Sequence, residues 1–201
     1  MNMSFTNRRT VEIVAYLLLV LALTQAIFTA LYVSEIKLSR QFFWGLEGLL
    51  FTILIAFSGA AMVQLKSEQI GWSAITFSAV LNVIQVAVGV TMFGTFNESA
   101  SQIEELKPAL GGVVALSFMI YYAAKLLLGF AALVFGMATL SEGKRMLGGL
   151  TALLGGIAIL SNAILITFGR EGFLPSGVAG TSGMLATLFL AFCLINAARK
   201  A

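Results

Sequence analysis

The sequence contains no histidine, no aspartate and a single cysteine, Cys193. These absences exclude haem held by histidine, the usual zinc sites and a Ser-His-Asp triad. One cysteine cannot form a disulfide within the chain, so cysteine usage does not indicate the redox compartment. All nine acidic residues are glutamates, and only Glu47 lies deep in a long apolar segment, which argues against a four-carboxylate metal site. We therefore predict neither a metal nor a cofactor.

Charge of either sign is also scarce. Charged residues make up 10% of the chain, hydrophobic residues make up 59%, and the mean hydropathy is +0.98. A soluble domain carries about 25% charged residues, so most of this surface must face lipid. The net charge of +3 is scattered through short polar segments, and this argues against a nucleic-acid partner. We predict one membrane domain covering residues 1–201.

Six apolar runs are long enough to cross a bilayer, which requires about 20 residues per helix. They cover residues 11–33, 42–64, 71–94, 109–139, 146–168 and 176–197. The first run is longer than the apolar part of a signal peptide, so we interpret it as a retained span. Period-2 alternation is absent from these runs, and a helix satisfies its own backbone in lipid. The predicted fold class is all-α: a polytopic bundle of six transmembrane helices.

Lysine and arginine in the polar connections predict the orientation of the chain. With the N-terminus in the cytoplasm, the inner side holds seven basic residues and the outer side holds four. We therefore expect both termini to be cytoplasmic, in the inner membrane of a bacterium. The inner set is Arg8, Arg9, Lys66, Lys144, Arg145, Arg199 and Lys200, and the outer set is Lys37, Arg40, Lys107 and Arg170.

A weak internal repeat appears when the chain is shifted by 78 residues. Residues 46–60 (LEGLLFTILIAFSGA) then align with residues 124–138 (AKLLLGFAALVFGMA), and Gly71 aligns with Gly149. Both helix pairs would run in the same direction, so this is a possible parallel repeat of helices 2–3 and 4–5. In the same alignment Glu47 falls opposite Lys125.

Glu47 and Lys125 are the two charges placed deep inside predicted spans. Each precedes the lysine at the inner end of its segment, Lys66 or Lys144, by 19 residues, so we expect equal heights toward the outer leaflet. For that match, residues 109–118 of span four must tilt or extend beyond the membrane. Small residues on the same helical faces predict that both charges point into the bundle. Because a charge at mid-span costs about 2.5–3.5 kcal/mol, we predict that they pair, directly or through water.

Other polar residues lie on inward faces by the same periodicity. Span three carries Ser78, Asn82 and Gln85 at spacings of four and three, and span five carries Asn162. They either line a polar cavity or form interhelical hydrogen bonds worth about 0.6–2 kcal/mol each. The candidate binding or charge-pair residues are Glu47, Lys125, Ser78, Asn82, Gln85, Asn162, Tyr121 and Tyr122.

Two classes of function fit this pattern. A transporter or channel for a small solute or ion requires a water-accessible cavity at Glu47 and Lys125. A non-catalytic accessory or scaffold subunit, meeting a second copy or another membrane protein, requires a dry pair and a patch of small residues facing lipid. A membrane-embedded enzyme is a remote alternative, because no motif joins a nucleophile such as Cys193 to either charge.

Overall fold

The computed structural model describes residues 7–34, 40–169, 174–175 and 177–199 of the chain. Six long helices account for nearly all of them, and a single 3-10 turn, Glu104–Leu106, joins the third helix to the fourth. The helices are α1 (Asn7–Val33), α2 (Arg40–Gln64), α3 (Gln69–Gln102), α4 (Lys107–Ser141), α5 (Arg145–Phe168) and α6 (Val178–Ala198).

All six helices are long and apolar enough to cross a membrane, which confirms the predicted multi-pass bundle. The predicted ends fall within four residues of the observed ends, except at the end of α3. The predicted start of span six, Ser176, lies outside the described residues. The same holds for Lys37, Arg170 and Lys200, three of the residues used to predict orientation.

Helix α3 continues eight residues beyond its predicted end at Gly94. The prediction ended the helix there because the following residues are polar. Polarity alone does not break a helix, and the segment TFNESASQ contains neither glycine nor proline. The helix ends only where Ile103 adopts an extended backbone (φ −126°, ψ 107°). Pro108 then occupies the first turn of α4, where its missing N–H costs nothing.

Five helices form a ring, and the sixth packs outside it. Around the ring, α1 packs against α2, α2 against α3, α3 against α4, α4 against α6, and α6 against α1. Helix α5 lies against the outside of α4 and α6. In the described part of the chain, α1 and α4 make no close backbone approach across the ring, so side chains fill its interior.

Helices α4 and α5 make backbone contact through glycines spaced by seven residues on each helix. A Cβ atom added to Gly136 would lie 2.5 Å from the backbone nitrogen of Ala152, and one added to Gly155 would lie 2.6 Å from that of Leu133. Only glycine permits this approach, and close packing is a main source of helix association in lipid. The α4–α5 turn is correspondingly short: Gly143 has φ 85°, and the N–H of Lys144 bonds to the carbonyl of Thr139.

The two helix pairs that the predicted repeat relates, α2–α3 and α4–α5, each consist of consecutive helices in contact. Matched positions in the two pairs differ in packing. A Cβ added to Gly71 would lie 2.7 Å from the ring of Phe135, whereas one added to Gly149 would meet nothing within 4 Å. The α2–α3 pair also lacks the glycine-to-backbone contacts of α4–α5. Duplication of the chain therefore stays a prediction.

The bundle has two ends with different contents. The connection end carries the α1–α2, α3–α4 and α5–α6 connections, and the terminal end carries the chain ends and the two tight turns. An apolar plug fills the terminal half of the ring. It consists of fully or almost fully buried side chains: Leu18, Leu21, Phe51, Leu54, Ile75, Leu128, Leu190 and Leu194.

Candidate functional site

A cavity of about 470 Å³ occupies the half of the bundle nearer the connection end. All six helices contribute to its wall, as do Leu174 and Pro175 from the segment before α6. Its volume is within the range of small-molecule sites, roughly 300–1,000 Å³. Five predicted site residues line it: Glu47, Asn82, Gln85, Tyr121 and Tyr122.

The two intramembrane charges lie at one level, at the inner end of this cavity. Thr24 Oγ1 donates to Glu47 Oε1 at 3.1 Å, and Lys125 Nζ donates to Gln25 Oε1 at 2.5 Å. Because Thr24 and Gln25 are consecutive in α1, their partners on α2 and α4 have similar heights in the bundle. We call Thr24, Gln25, Glu47, Ser78, Asn82 and Lys125 the polar floor.

The shared level explains the length of α4. Lys125 lies 18 residues from the start of α4, about 27 Å along the helix, whereas Glu47 lies seven residues from the start of α2, about 10 Å. Helix α4 therefore extends about 16 Å further toward the connection end than α2 does. Helix α4 thus has the extra length that a tilted or protruding segment 109–118 requires, while the position of that segment relative to the membrane stays a prediction.

Lys125 is fully buried, although it carries the longest polar side chain of the ring interior. Its alkyl stem lies against Gly183 of α6, where an added Cβ would be 2.8 Å from Lys125 Cδ. Its ammonium bonds to Gln25 and lies 5.3 Å from the ring centroid of Tyr121. Lys125 thus spans the ring interior and joins α1, α4 and α6, with its charge held by an amide oxygen and an aromatic face.

The predicted pair of Lys125 and Glu47 does not take its direct form. In the described part of the chain the two groups form no ion pair within 4.0 Å, and they interact only at longer range. The hydrogen-bond partner of Lys125 is Gln25, which the sequence analysis did not select. The available signal was the polar dipeptide Thr24-Gln25 inside the otherwise apolar first span.

Aromatic rings form one wall of the cavity. Trp44 packs edge-on against Phe93 with ring centroids 5.4 Å apart, and it lies 6.2 Å from the ring of Phe28. Gly89 makes room for this tryptophan, since an added Cβ would lie 2.5 Å from the Trp44 ring. The sequence alone did not indicate Trp44, Phe28 and Phe93 as cavity residues, because aromatic residues inside apolar spans carry no separate signal.

The remaining predicted residues have structural contacts. On α3, Gln85 Nε2 donates to Ser117 Oγ at 3.2 Å, Ser78 Oγ donates to the carbonyl of Ala124 at 2.8 Å, and Asn82 Nδ2 donates to the carbonyl of Ser78 at 2.9 Å. The bonds of Gln85 and Ser78 fix α3 to α4, and the bond of Asn82 within α3 orients its side chain. Asn162 does not line the cavity: its Nδ2 donates to the carbonyl of Ala158 on its own helix at 2.8 Å and to that of Ala179 on α6 at 3.4 Å.

The cavity is closed on the side nearer the terminal end. On α1 to α4, the buried apolar residues of the plug lie on the terminal side of the polar floor, and on α6 Leu190 and Leu194 lie on the terminal side of Gly183, which contacts Lys125. These side chains close the cavity toward the terminal end. Cys193 lies in the closed half, buried against Thr151, and does not meet either charge of the floor.

Comparison of the chain with protein-family models, with curated proteins and with solved structures found no match.

Proposed function

We propose that the protein is a transporter for a small solute and that the solute binds in the cavity above the polar floor. The observation that supports this most directly is a cavity of about 470 Å³ that ends on Glu47 inside a membrane-spanning bundle. Ionisable groups in a span are costly, and they mark substrate pathways when they face a cavity. Here Glu47 lines the cavity, and Lys125, the other charge of the polar floor, is fully buried behind that lining.

The plug favours a transporter over an open channel. Side chains of five helices close the terminal half, so a solute held at the floor has no path onward in this conformation. Transfer then requires a second conformation in which the plug opens and the connection end closes. Alternating access of this kind commonly places the substrate site near the middle of the membrane.

We expect the connection end to lie outside the cell and both termini in the cytoplasm, because the distribution of basic residues favours this orientation. Single cysteines at Ser99, near the end of α3, and at Ser141, at the end of α4, on a Cys193→Ala background test this orientation. An impermeant thiol reagent added to intact cells is expected to label Ser99→Cys and to spare Ser141→Cys until the membrane is opened. Labelling of both cysteines from the same side would contradict six crossings.

Alternating access predicts that plug residues become reachable from the terminal side. Ser58 is fully buried in the plug half, at the α2–α3 interface, where Thr76 Oγ1 donates to its Oγ at 3.1 Å, and Ser58→Cys changes one atom. In inside-out vesicles we expect slow labelling of Ser58→Cys, and in intact cells rapid labelling of Gln85→Cys in the cavity. Ser141→Cys, which is exposed in every state, is the control for reagent delivery. If Ser58→Cys stays unreactive while Ser141→Cys is labelled, the protein does not alternate.

A second candidate is an accessory subunit that meets a partner within the bilayer. Gly149 and Gly156 on the outer face of α5 have no neighbour within 4 Å of an added Cβ, and small residues in that position allow another helix to approach. In that case Ser58→Cys stays unreactive, and bulky substitutions at Gly149 release a partner or dissociate an oligomer in mild detergent.

A further inference from the structure

We infer that the cavity takes an organic cation, with a substituted ammonium group at Glu47 and its apolar part against the aromatic wall of Phe28, Trp44 and Phe93. The inference names the solute class of the proposed transporter and rests on that proposal for the transport step alone. Binding itself rests on the charge and shape of the cavity.

The charge of the lining is negative. Among the described residues that line the cavity, Glu47 is the one charged side chain. It is partly exposed, and Thr24 Oγ1 is the one donor in the described part of the chain within hydrogen-bond distance of its carboxylate. One carboxylate oxygen therefore remains available to a ligand, in a site whose low polarity strengthens the attraction.

The positive charge of Lys125 does not reach the ligand space. Its side chain is fully buried, it is absent from the lining, and its ammonium is held by Gln25 Oε1. The Tyr121 ring, which does line the cavity, lies 5.3 Å from that ammonium. A ligand anion would have to displace the Gln25 amide to reach it, whereas a ligand cation meets Glu47 directly.

The aromatic wall suits a substituted ammonium better than a metal ion. Ring faces attract cations by about 0.5–1 kcal/mol at exposed sites and by about 2 kcal/mol when water is excluded, and they recognise alkylated ammonium groups that cannot make several hydrogen bonds. The described residues contain no cluster of carboxylate, cysteine or histidine ligands that would hold a metal ion. The rings at Trp44 and Phe93 leave an apolar surface beside the carboxylate for the body of the ligand.

The binding test uses the purified full-length chain in detergent and the fluorescence of Trp44. The sequence has two tryptophans, and Trp72 is buried at the terminal end, so Trp72→Phe leaves Trp44 as the reporter. The probes are benzyltrimethylammonium, choline and 3,3-dimethyl-1-butanol, which is the uncharged isostere of choline. Benzenesulfonate is the anionic probe.

We expect both cations to change Trp44 emission saturably, with benzyltrimethylammonium binding more tightly because its ring adds apolar contact. The uncharged isostere should bind at least about tenfold more weakly than choline. Lys125→Met removes a repelling charge and should leave cation affinity unchanged or raise it by up to about tenfold. Adding Glu47→Gln to Lys125→Met avoids an unpaired buried lysine and should weaken cation binding about 10- to 100-fold. Glu98→Gln, on the exposed end of α3, is the matched control and should change nothing.

Three outcomes would overturn the inference. The first is saturable binding of benzenesulfonate that Lys125→Met abolishes, which would make this an anion site. The second is equal affinity for choline and its uncharged isostere. The third is an absence of cation binding when Ser58→Cys is labelled in inside-out vesicles. In that case the transporter proposal stands and the proposed solute class is wrong. Conversely, cation binding together with an unreactive Ser58→Cys would support the cation site and contradict the proposed transport.

Discussion

Gly148→Ala is expected to destabilise the folded protein by about 2–3 kcal/mol, while Gly149→Ala, one residue further along α5, is expected to be neutral or slightly stabilising. The methyl group at position 148 would lie 2.4 Å from the backbone nitrogen of Leu140 and 2.7 Å from the carbonyl oxygen of Gly136. Backbone cannot rotate away as a side chain can, so the helices must separate along their whole interface. At position 149 the methyl group meets no atom within 4 Å and gains the helix propensity of alanine.

Thermal unfolding in detergent measures this pair, and we expect the midpoint of Gly148→Ala to fall by about 5–10 °C. Gly155→Ala and Gly156→Ala repeat the comparison two turns further along, with a predicted clash at 155 and open space at 156. Equal midpoints for the two members of each pair would show that the α4–α5 contact is looser than its backbone distances imply.

Glu47→Gln alone is expected to cost about 3 kcal/mol, and Lys125→Met alone about 1–2 kcal/mol. Removing the carboxylate leaves Lys125, which is fully buried, with no acidic side chain among the described residues that line the cavity, and an uncompensated buried charge typically costs about 3–5 kcal/mol. Removing the lysine leaves a carboxylate that is partly exposed in the cavity and bonded to Thr24, so the penalty is smaller. The asymmetry follows from which of the two charges can reach water.

The double variant should recover most of the loss, and the readout is a double-mutant cycle on thermal or denaturant unfolding. A matched cycle of Gln25→Leu with Lys125→Met separates the hydrogen bond from the longer-range charge interaction, because Gln25 carries no charge. Additive losses in the Glu47–Lys125 cycle, together with strong coupling in the Gln25–Lys125 cycle, would show that the amide alone stabilises the buried lysine.

Hydropathy was sufficient to predict six helices because a bilayer imposes length and composition on every crossing. It could not predict the extension of α3 through Asn97 and Glu98, since a helix outside the membrane tolerates polar residues. Polar side chains within spans are rare, and that rarity identified Glu47, Asn82 and Gln85 as cavity residues. The same signal selected Asn162, which instead donates to the carbonyl of Ala179 on α6, because a single helix gives no information about which neighbour its polar face meets.

The partner of Lys125 depended on a distance that the sequence does not contain. Gln25 is 100 residues away in the chain, and only the closure of the ring brings α1 opposite α4. The position of Trp44 could not be predicted from the sequence either, because the ring occupies space left by the absent side chain of Gly89 on another helix. Both features, the bond across the ring and the recess made by a glycine, depend on how the helices pack. The periodicity of a single sequence does not predict such packing.

The blind cavity also shapes the electric field across the membrane. In the proposed transporter, water and ions enter the cavity from the connection end and conduct, so the membrane voltage falls mainly across the apolar plug and hardly at all across the cavity. Helix α2 runs 17 residues from Glu47 to its end at Gln64, about 25 Å of low-dielectric path. Any charge that passes this layer therefore crosses most of the membrane potential, worth about 2.3 kcal/mol per elementary charge for each 100 mV. A charge that only arrives at Glu47 crosses little of it.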